Sequence, residues 1–248
     1  MSQLAAVATA FLRLPFQFDP EALRADGDAC VALSWKRHFN AADFQGSWDG
    51  IALRSPSGAA DDIRAHPGME YADTPLLEGC RYFKAVLDRF ECEKESVRLL
   101  RLAPGSEIKE HSDPGAGYSS GAFRIHVPVR TNPGVRFLVG GSLVRMEPGE
   151  SWYADFGLPH SVKNDGETDR IHLVIDALRN PWTDAVFREA GYDFEAEARA
   201  RAYPLEVKVQ MLERLRSMDS AAARELVAQL TAEIEAEQGR PPRPPLAE

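Results

Sequence analysis

The chain has 248 residues, 44% of them hydrophobic and 27% charged, with a formal net charge of -9. That is enough for one sizeable domain with its own core, or a domain and a small appendage, in a composition ordinary for a soluble globular protein. The acidic balance argues against a general nucleic-acid or anionic-membrane partner, since both need a basic footprint, and the widely spaced Cys30, Cys80 and Cys92 exclude a disulfide framework or CxxC zinc site and read as reduced thiols of a cytoplasmic protein.

The apolar run Leu4–Leu12 follows no basic residue and is too short to span a bilayer, so it reads as a buried strand or short helix. Residues 19–33 read as a helix, with Asp19 at the N-cap, Pro20 at the first helical position and Glu21 in the first turn. The segment holding Trp35, Phe39, Phe44 and Trp48 is aromatic and irregular. Residues 50–54 suggest a strand, and the stretch 55–73, rich in Gly, Pro, Ala and Asp, reads as loop. Helical spacing returns over 75–91, where Leu76, Cys80, Phe83, Val86, Leu87 and Phe90 fall on one face. From Glu95 to about residue 178 the chain becomes a succession of short runs: 97–103, 122–130, VRFLVGG, SLVRME, SWYADF, HSVKN and RIHLVIDAL. Turn residues such as Pro104-Gly105, Gly141, Pro148-Gly149 and Asn164-Asp165-Gly166 separate them, which predicts an all-β sandwich or barrel. Residues 183–202 and 205–238 are helical in pattern, and the tail GRPPRPPLAE is expected to be disordered.

The chemistry concentrates in the β region. His111 and Asp113 are separated by one residue, so in an extended segment they point to one face and reach one metal ion. His160, after Gly157-Leu158-Pro159, is the candidate third ligand. Two imidazoles and a carboxylate on one face leave positions open for a chelating oxo acid and for oxygen, the pattern of non-haem iron(II) oxygenases. Arg170 follows His160 by ten residues. A hairpin of that length returns it to the same end of the barrel, where its guanidinium fork suits the distal carboxylate of a dicarboxylate. In AFRIHVPVR, Phe123, Ile125, Val127 and Val129 share one face and Arg124 and His126 the other, so Arg124 and His126 are candidates for the cosubstrate or a substrate carboxylate. Arg170, His172 and Asp176 share a face in the same way.

EHSD, FRIHVPV, MEPGESWYADFGLPHSVKN and DRIHLVIDAL resemble the aspartyl/asparaginyl β-hydroxylase family and the related bacterial L-proline cis-hydroxylases. The resemblance covers roughly residues 95–180, with weaker echoes at Trp48 and in the helix before Glu91. It implies a mainly β fold, a double-stranded β-helix or cupin-like jelly roll, with flanking N-terminal helices and a small α-helical C-terminal region. It also implies Fe(II) on His111, Asp113 and His160, 2-oxoglutarate on Arg170, and carboxylate binding by Arg124 and His126. Oxygen is then the second cosubstrate and ascorbate a candidate supporting reductant. The animal aspartyl hydroxylases lack the carboxylate matched by Asp113, which places this chain nearer the proline hydroxylases. The segment after Asn180 is similar to the helical C-terminal part of the proline 3-hydroxylases, without a residue-by-residue match. The expected organisation is a jelly-roll oxygenase domain with its N-terminal helices over 1–180, a helical region over 181–238 and a tail over 239–248.

The expected activity is hydroxylation of a C–H bond in a carboxylate-bearing substrate, a free amino acid or an Asp/Asn-like residue of a peptide, with release of succinate and CO2. No nucleic-acid or membrane partner is expected, and the oligomeric state is left open. Two other readings stay in view: a cupin-type isomerase or dioxygenase that uses His126 or His172 as a ligand, and a non-catalytic jelly roll that binds a small acid. His38 and His66 lie in irregular segments and read as surface or satisfied residues. His172 reads as orienting its neighbours, and Trp152, Tyr153 and Phe156 as core.

Overall fold

The computed structural model describes residues 9–31, 33, 35–40, 42–65, 68–201, 203–218 and 220–238. His66, most of the apolar run Leu4–Leu12 and the tail 239–248 lie outside the described residues. The chain divides after Glu197 into two compact units. The first therefore runs past the expected boundary at 180, because the segment that follows still packs on the core through Phe187 and Tyr192.

The first unit opens with β1 (Phe11–Gln17) and α1 (Pro20–Val31). The Asp19 carboxylate caps α1 by accepting from the backbone N–H of Glu21 at 2.9 Å, which satisfies a donor at the free helix start. The aromatic segment is less irregular than its sequence suggests, since β2 (Lys36–Arg37) and β3 (Phe44–Gln45) precede β4 (Trp48–Ser55), and β5 (Ala72–Asp73) closes the long loop. The single helix expected over 75–91 is two, α2 (Pro75–Gly79) and α3 (Arg81–Asp88). The break at Cys80 has a tertiary cause. The Asp26 carboxylate of α1 accepts from the N–H groups of Tyr82 and Phe83 at 2.8 and 2.9 Å, so α1 caps a new helix start.

The β region follows as β6 (Lys94–Leu102), β7 (Glu107–His111), β8 (Ala122–Arg130), β9 (Val135–Val139), β10 (Ser142–Val144), β11 (Glu150–Ala154), β12 (His160–Asn164) and β13 (Arg170–Leu178). The strands form two antiparallel sheets, ordered β1-β11-β8-β13-β6-β4-β2 and β10-β9-β12-β7-β3, with β5 on β4, and from β6 to β9 and again from β10 to β13 successive strands alternate between them. That alternation is the winding of a double-stranded β-helix, the expected fold. The β9–β10 hairpin turns on Gly140 and Gly141 with φ of 54° and 79°, positive values that a tight two-residue hairpin requires.

Two cores result. One lies between the larger sheet and the helices, where Leu23, Phe83, Ile125, Val127, Leu173 and Ile175 meet. The other fills the space between the sheets, where Leu100, Leu102, Ile108, Phe137, Phe156 and Val174 meet. β8 presents Ile125 and Val127 to the first and turns Arg124 and His126 to the second, as its alternation predicts. Two further helices are α4 (Pro181–Glu189) and α5 (Phe194–Arg201). Asn180 and Thr183 form a capping box at the start of α4.

The second unit holds α6 (Leu205–Arg216) and α7 (Ala221–Gln238). They pack through Leu212, Leu230 and Ile234, with a Lys208–Glu233 ion pair at 3.0 Å. Among the described residues no helix is long and apolar enough to cross a membrane.

Candidate active site

His111 ends β7 and His160 begins β12, and the two are directly paired across the smaller sheet. Asp113 lies two residues past the end of β7, held by its backbone N–H donating to the Phe156 carbonyl at 2.8 Å. One ligand atom from each of His111, Asp113 and His160 lies within 4.8 Å of the others, close enough to share one ion. It is the one such group of three or more among the described residues, so neither His126 nor His172 joins it, as the cupin-type reading requires.

The imidazoles are oriented for the task. His111 Nδ1 sits 2.8 Å from the Lys109 carbonyl and His160 Nδ1 2.9 Å from the Leu158 carbonyl. A carbonyl only accepts, so each Nδ1 carries the hydrogen and each Nε2 keeps a lone pair for a metal. Two neutral nitrogens and a carboxylate fit a divalent first-row ion such as iron(II). Burial lowers the His160 pKa, which favours the neutral form that ligation needs.

A cavity of about 50 Å³ opens beside the triad, lined also by Arg124, His126, Arg170, Phe137 and Phe156. Phe156, expected as core, is thus also a wall of the site, and the Arg124 guanidinium lies over its ring at 5.0 Å. Arg170 reaches this cavity by a different route from the expected hairpin. β12 and β13 do not pair: β12 lies between β7 and β9, while β13 lies between β6 and β8 in the facing sheet. The chain crosses the sandwich between them, so His160 and Arg170 line one cavity from facing sheets. Arg170 and Phe137 also border a second cavity of about 410 Å³.

Arg170 is 3% exposed and donates to His172 Nδ1 at 3.1 Å. Burial lowers its pKa to about 9, with no neighbouring carboxylate to offset it, and its Nε has no partner among the described residues. It remains a cation at neutral pH. A buried cation without a counter-ion is costly unless a ligand supplies one. His126 Nδ1 meets His172 Nδ1 at 3.3 Å, so His172 links Arg170 to His126.

A second charged group lies at the ion end. Asp176 accepts from Arg98 at 2.5 Å and from Arg124 at 2.6 Å, and Arg124 also reaches Asp113 at 3.3 Å. Burial alone raises the Asp176 pKa, but the two guanidinium groups outweigh it and hold the carboxylate below its usual range. Burial lowers the pKa of Arg98 despite Asp176, whereas Asp176 and Asp113 outweigh burial at Arg124 and raise it.

Arg98 carries no expectation from the sequence, and His38, which reads there as a surface or satisfied residue, is buried. Arg98 was legible: it shares a strand face with Leu100 and Leu102, which puts a cation on an inward side. His38 carried no such signal, since its segment has no period. It is 7% exposed and its ring stacks on Trp48 at 3.4 Å.

His38, His126 and His172 are buried in the neutral form. Burial pushes His38 to about 3, with Arg98 and Arg124 adding to the effect. Burial, then Arg170, holds His126 and His172 well below the imidazole range. The unfolded chain takes up a proton at each below about pH 6.5 and the folded chain does not, so stability is lost as pH falls from that value. Three such protons give a slope of about 4 kcal/mol per pH unit, enough to unfold a domain of ordinary stability between about pH 3 and 5. Urea unfolding at pH 7, 6 and 5 measures it, and a slope of one proton or less contradicts the burial of these rings.

Comparison with known proteins places the chain in a family. The family model for aspartyl/asparaginyl β-hydroxylase matches residues 19–180. The L-proline cis-4-hydroxylase of Rhizobium meliloti (strain 1021) is 29% identical over 146 residues, which cover 58% of this chain and 52% of the relative. The chain thus spans about half the length of that curated relative. Among solved structures, a Pseudomonas putida prolyl-4-hydroxylase is 12% identical with a TM-score of 0.46, over 69% of this chain and 93% of its own. HygX from Streptomyces hygroscopicus, solved with nickel and 2-oxoglutarate bound, is 12% identical with a TM-score of 0.46, over 70% of this chain and 84% of its own. With the match running from α1 to the end of β13, the chain belongs to the aspartyl/asparaginyl β-hydroxylase family.

Proposed function

We propose that the protein is an Fe(II)- and 2-oxoglutarate-dependent dioxygenase that hydroxylates a C–H bond of a free, carboxylate-bearing amino acid. The observation that carries the reading is Arg170, a buried guanidinium with no counter-ion, facing the same cavity as a His-Asp-His cluster. His111, Asp113 and His160 would hold the ion on one side and leave the cavity side open. Arg170 would take the distal carboxylate of 2-oxoglutarate. When bound, the metal and cosubstrate supply the oxidising chemistry, with 2-oxoglutarate and oxygen consumed and succinate and CO2 released as the substrate gains a hydroxyl group.

Charge balance supports a carboxylate on the substrate. Arg98, Arg124 and Arg170 bring three positive charges, and Asp113 and Asp176 two negative ones. A divalent ion and a doubly charged diacid cancel each other. One positive charge remains, at the Arg98–Asp176–Arg124 cluster, and a substrate carboxylate placed there would pair with it, with the ammonium group of an amino acid directed away from it. The relative that acts on L-proline makes L-proline and other free amino acids the first substrates to try.

The test is an anaerobic titration of the metal-free protein with iron(II) and 2-oxoglutarate, followed by succinate release in air. A visible charge-transfer band and release of succinate without added substrate are the expected results. His160→Ala is expected to remove both, a loss beyond the ~100-fold typical of a residue that only supports a ligand. Small-acid binding with no oxygen consumption would instead leave a binding module.

A further inference from the structure

We propose that His38 is a substrate-binding residue whose Nε2–H donates to a carboxylate oxygen of the amino acid held between the ion site and the Arg98–Asp176–Arg124 cluster. This rests on the function proposed above and names a residue that recognises the substrate.

The ring of His38 is fixed in place. It stacks on Trp48 at 3.4 Å with 13° between planes, and on Phe39 at 4.4 Å with 24°. Its backbone N–H donates to the Trp48 carbonyl at 2.8 Å, which ties the residue to the start of β4. Stacking occupies the ring faces, so His38 has only its edge to offer. One nitrogen on that edge is committed, because Nδ1 accepts from the Asn40 N–H at 3.4 Å. The hydrogen of the neutral ring is then on Nε2, which has no hydrogen-bond partner among the described residues.

The stack places His38 beside the ion site, because Trp48 lines the cavity there. The charged groups acting on the ring are Arg98, Arg124, Asp113 and His111, the ligand cluster and the cations of its clamp. Trp48, under the ring, lines the cavity beside the ion site, and its own indole N–H is buried with no acceptor. A buried indole N–H and an accessible imidazole N–H, neither with a partner among the described residues, thus stand beside two guanidinium groups that share one carboxylate. A site that collects unpartnered donors beside excess positive charge takes an anionic acceptor.

Two substitutions separate a binding role from a structural one. His38→Phe keeps the aromatic stack and removes the donor. His38→Gln loses the stack and keeps an N–H near the Nε2 position. Succinate release is measured for each with iron(II) and 2-oxoglutarate, alone and with free L-amino acids, L-proline first. Iron(II) affinity is measured in parallel. For the amino acid that stimulates the wild type, His38→Phe is expected to raise KM by about tenfold or more, the value of a hydrogen bond to a charged group. Its unstimulated succinate release, its KM for 2-oxoglutarate and its iron affinity are expected to stay within about twofold of the wild type. His38→Gln is expected to recover most of the amino-acid KM. The proposal is overturned if His38→Phe leaves that KM unchanged. It is also overturned if KM, unstimulated turnover and iron affinity all decline together, which is the mark of a packing role or of support to Asp113. A wild type that releases succinate but responds to no amino acid overturns the assignment of His38 while leaving the dioxygenase reading in place. A wild type that releases none removes both.

Discussion

Arg170→Met is expected to cost the protein its 2-oxoglutarate affinity while making the ligand-free fold more stable. The two effects share one cause. The guanidinium is 3% exposed, meets no carboxylate among the described residues and leaves its Nε unbonded. In the ligand-free protein it is a desolvated cation that, among the described residues, only one hydrogen bond to His172 and the Phe137 ring 5.7 Å away offset. Methionine fills similar volume without that penalty. Replacing buried charge with a packed apolar side chain commonly stabilises by about 1–4 kcal/mol, against about 1 kcal/mol for the hydrogen bond His172 loses. With 2-oxoglutarate the sign reverses. Truncating one partner of a buried, hydrogen-bonded charge pair costs about 2–5 kcal/mol, so the KM for 2-oxoglutarate rises about 30-fold or more. Thermal unfolding of the ligand-free proteins and succinate release across a range of 2-oxoglutarate concentrations give the two readouts. A variant that is much less stable yet binds 2-oxoglutarate as well as the wild type would show that Arg170 holds the barrel together and not the cosubstrate.

The same residue shows what a sequence can and cannot carry. That Arg170, His172 and Asp176 face the interior is written in the two-residue period of β13, and the same holds for Arg124 and His126 on β8. Both strands form with the inward sets expected of them, because apolar residues on the other face have only one core to enter. The partners of a strand are not written locally. A run of ten residues from His160 to Arg170 reads as a hairpin, but β12 and β13 belong to facing sheets. His160 and Arg170 thereby line one cavity from facing sheets instead of pairing across a hairpin. The break at Cys80 is non-local in the same way, since the carboxylate that starts α3 is Asp26, 56 residues before Tyr82. His38 was out of reach for a third reason. It follows a two-residue strand too short to show a period, and only its stacking on Trp48 and the charges around it mark it as part of the site.

Asp176→Asn is expected to cost more stability than any other single change to the charged cluster. The Asp176 carboxylate is the shared partner of Arg98 and Arg124, both largely buried, and it is opposite Arg124 in the register of β13 on β8. Asparagine keeps one acceptor oxygen but turns an amide N–H₂ toward a guanidinium and removes the charge that offsets two cations. Breaking a buried pair by removing one partner costs about 3–5 kcal/mol, and here one removal strands two partners. The low pKa of Asp176 says the same in another form: its contribution is present above the usual carboxylate range and lost as pH falls through the folded value. The consequence at the ion is also predictable. Arg124 already reaches Asp113 at 3.3 Å, and without Asp176 it has only that carboxylate to pair with. Asp113 would then be drawn from the ion toward the guanidinium, so iron(II) affinity falls along with stability. Adding Arg98→Met to Asp176→Asn removes one stranded cation, and the double variant should recover part of the stability, with a coupling of about 0.5–3 kcal/mol in a double-mutant cycle. Urea unfolding of the wild type, both single variants and the double variant measures the cycle. An Asp176→Asn protein within about 1 kcal/mol of the wild type would mean that water reaches Arg98 and Arg124 freely, and a cluster open to water would not need a carboxylate from the substrate to neutralise it.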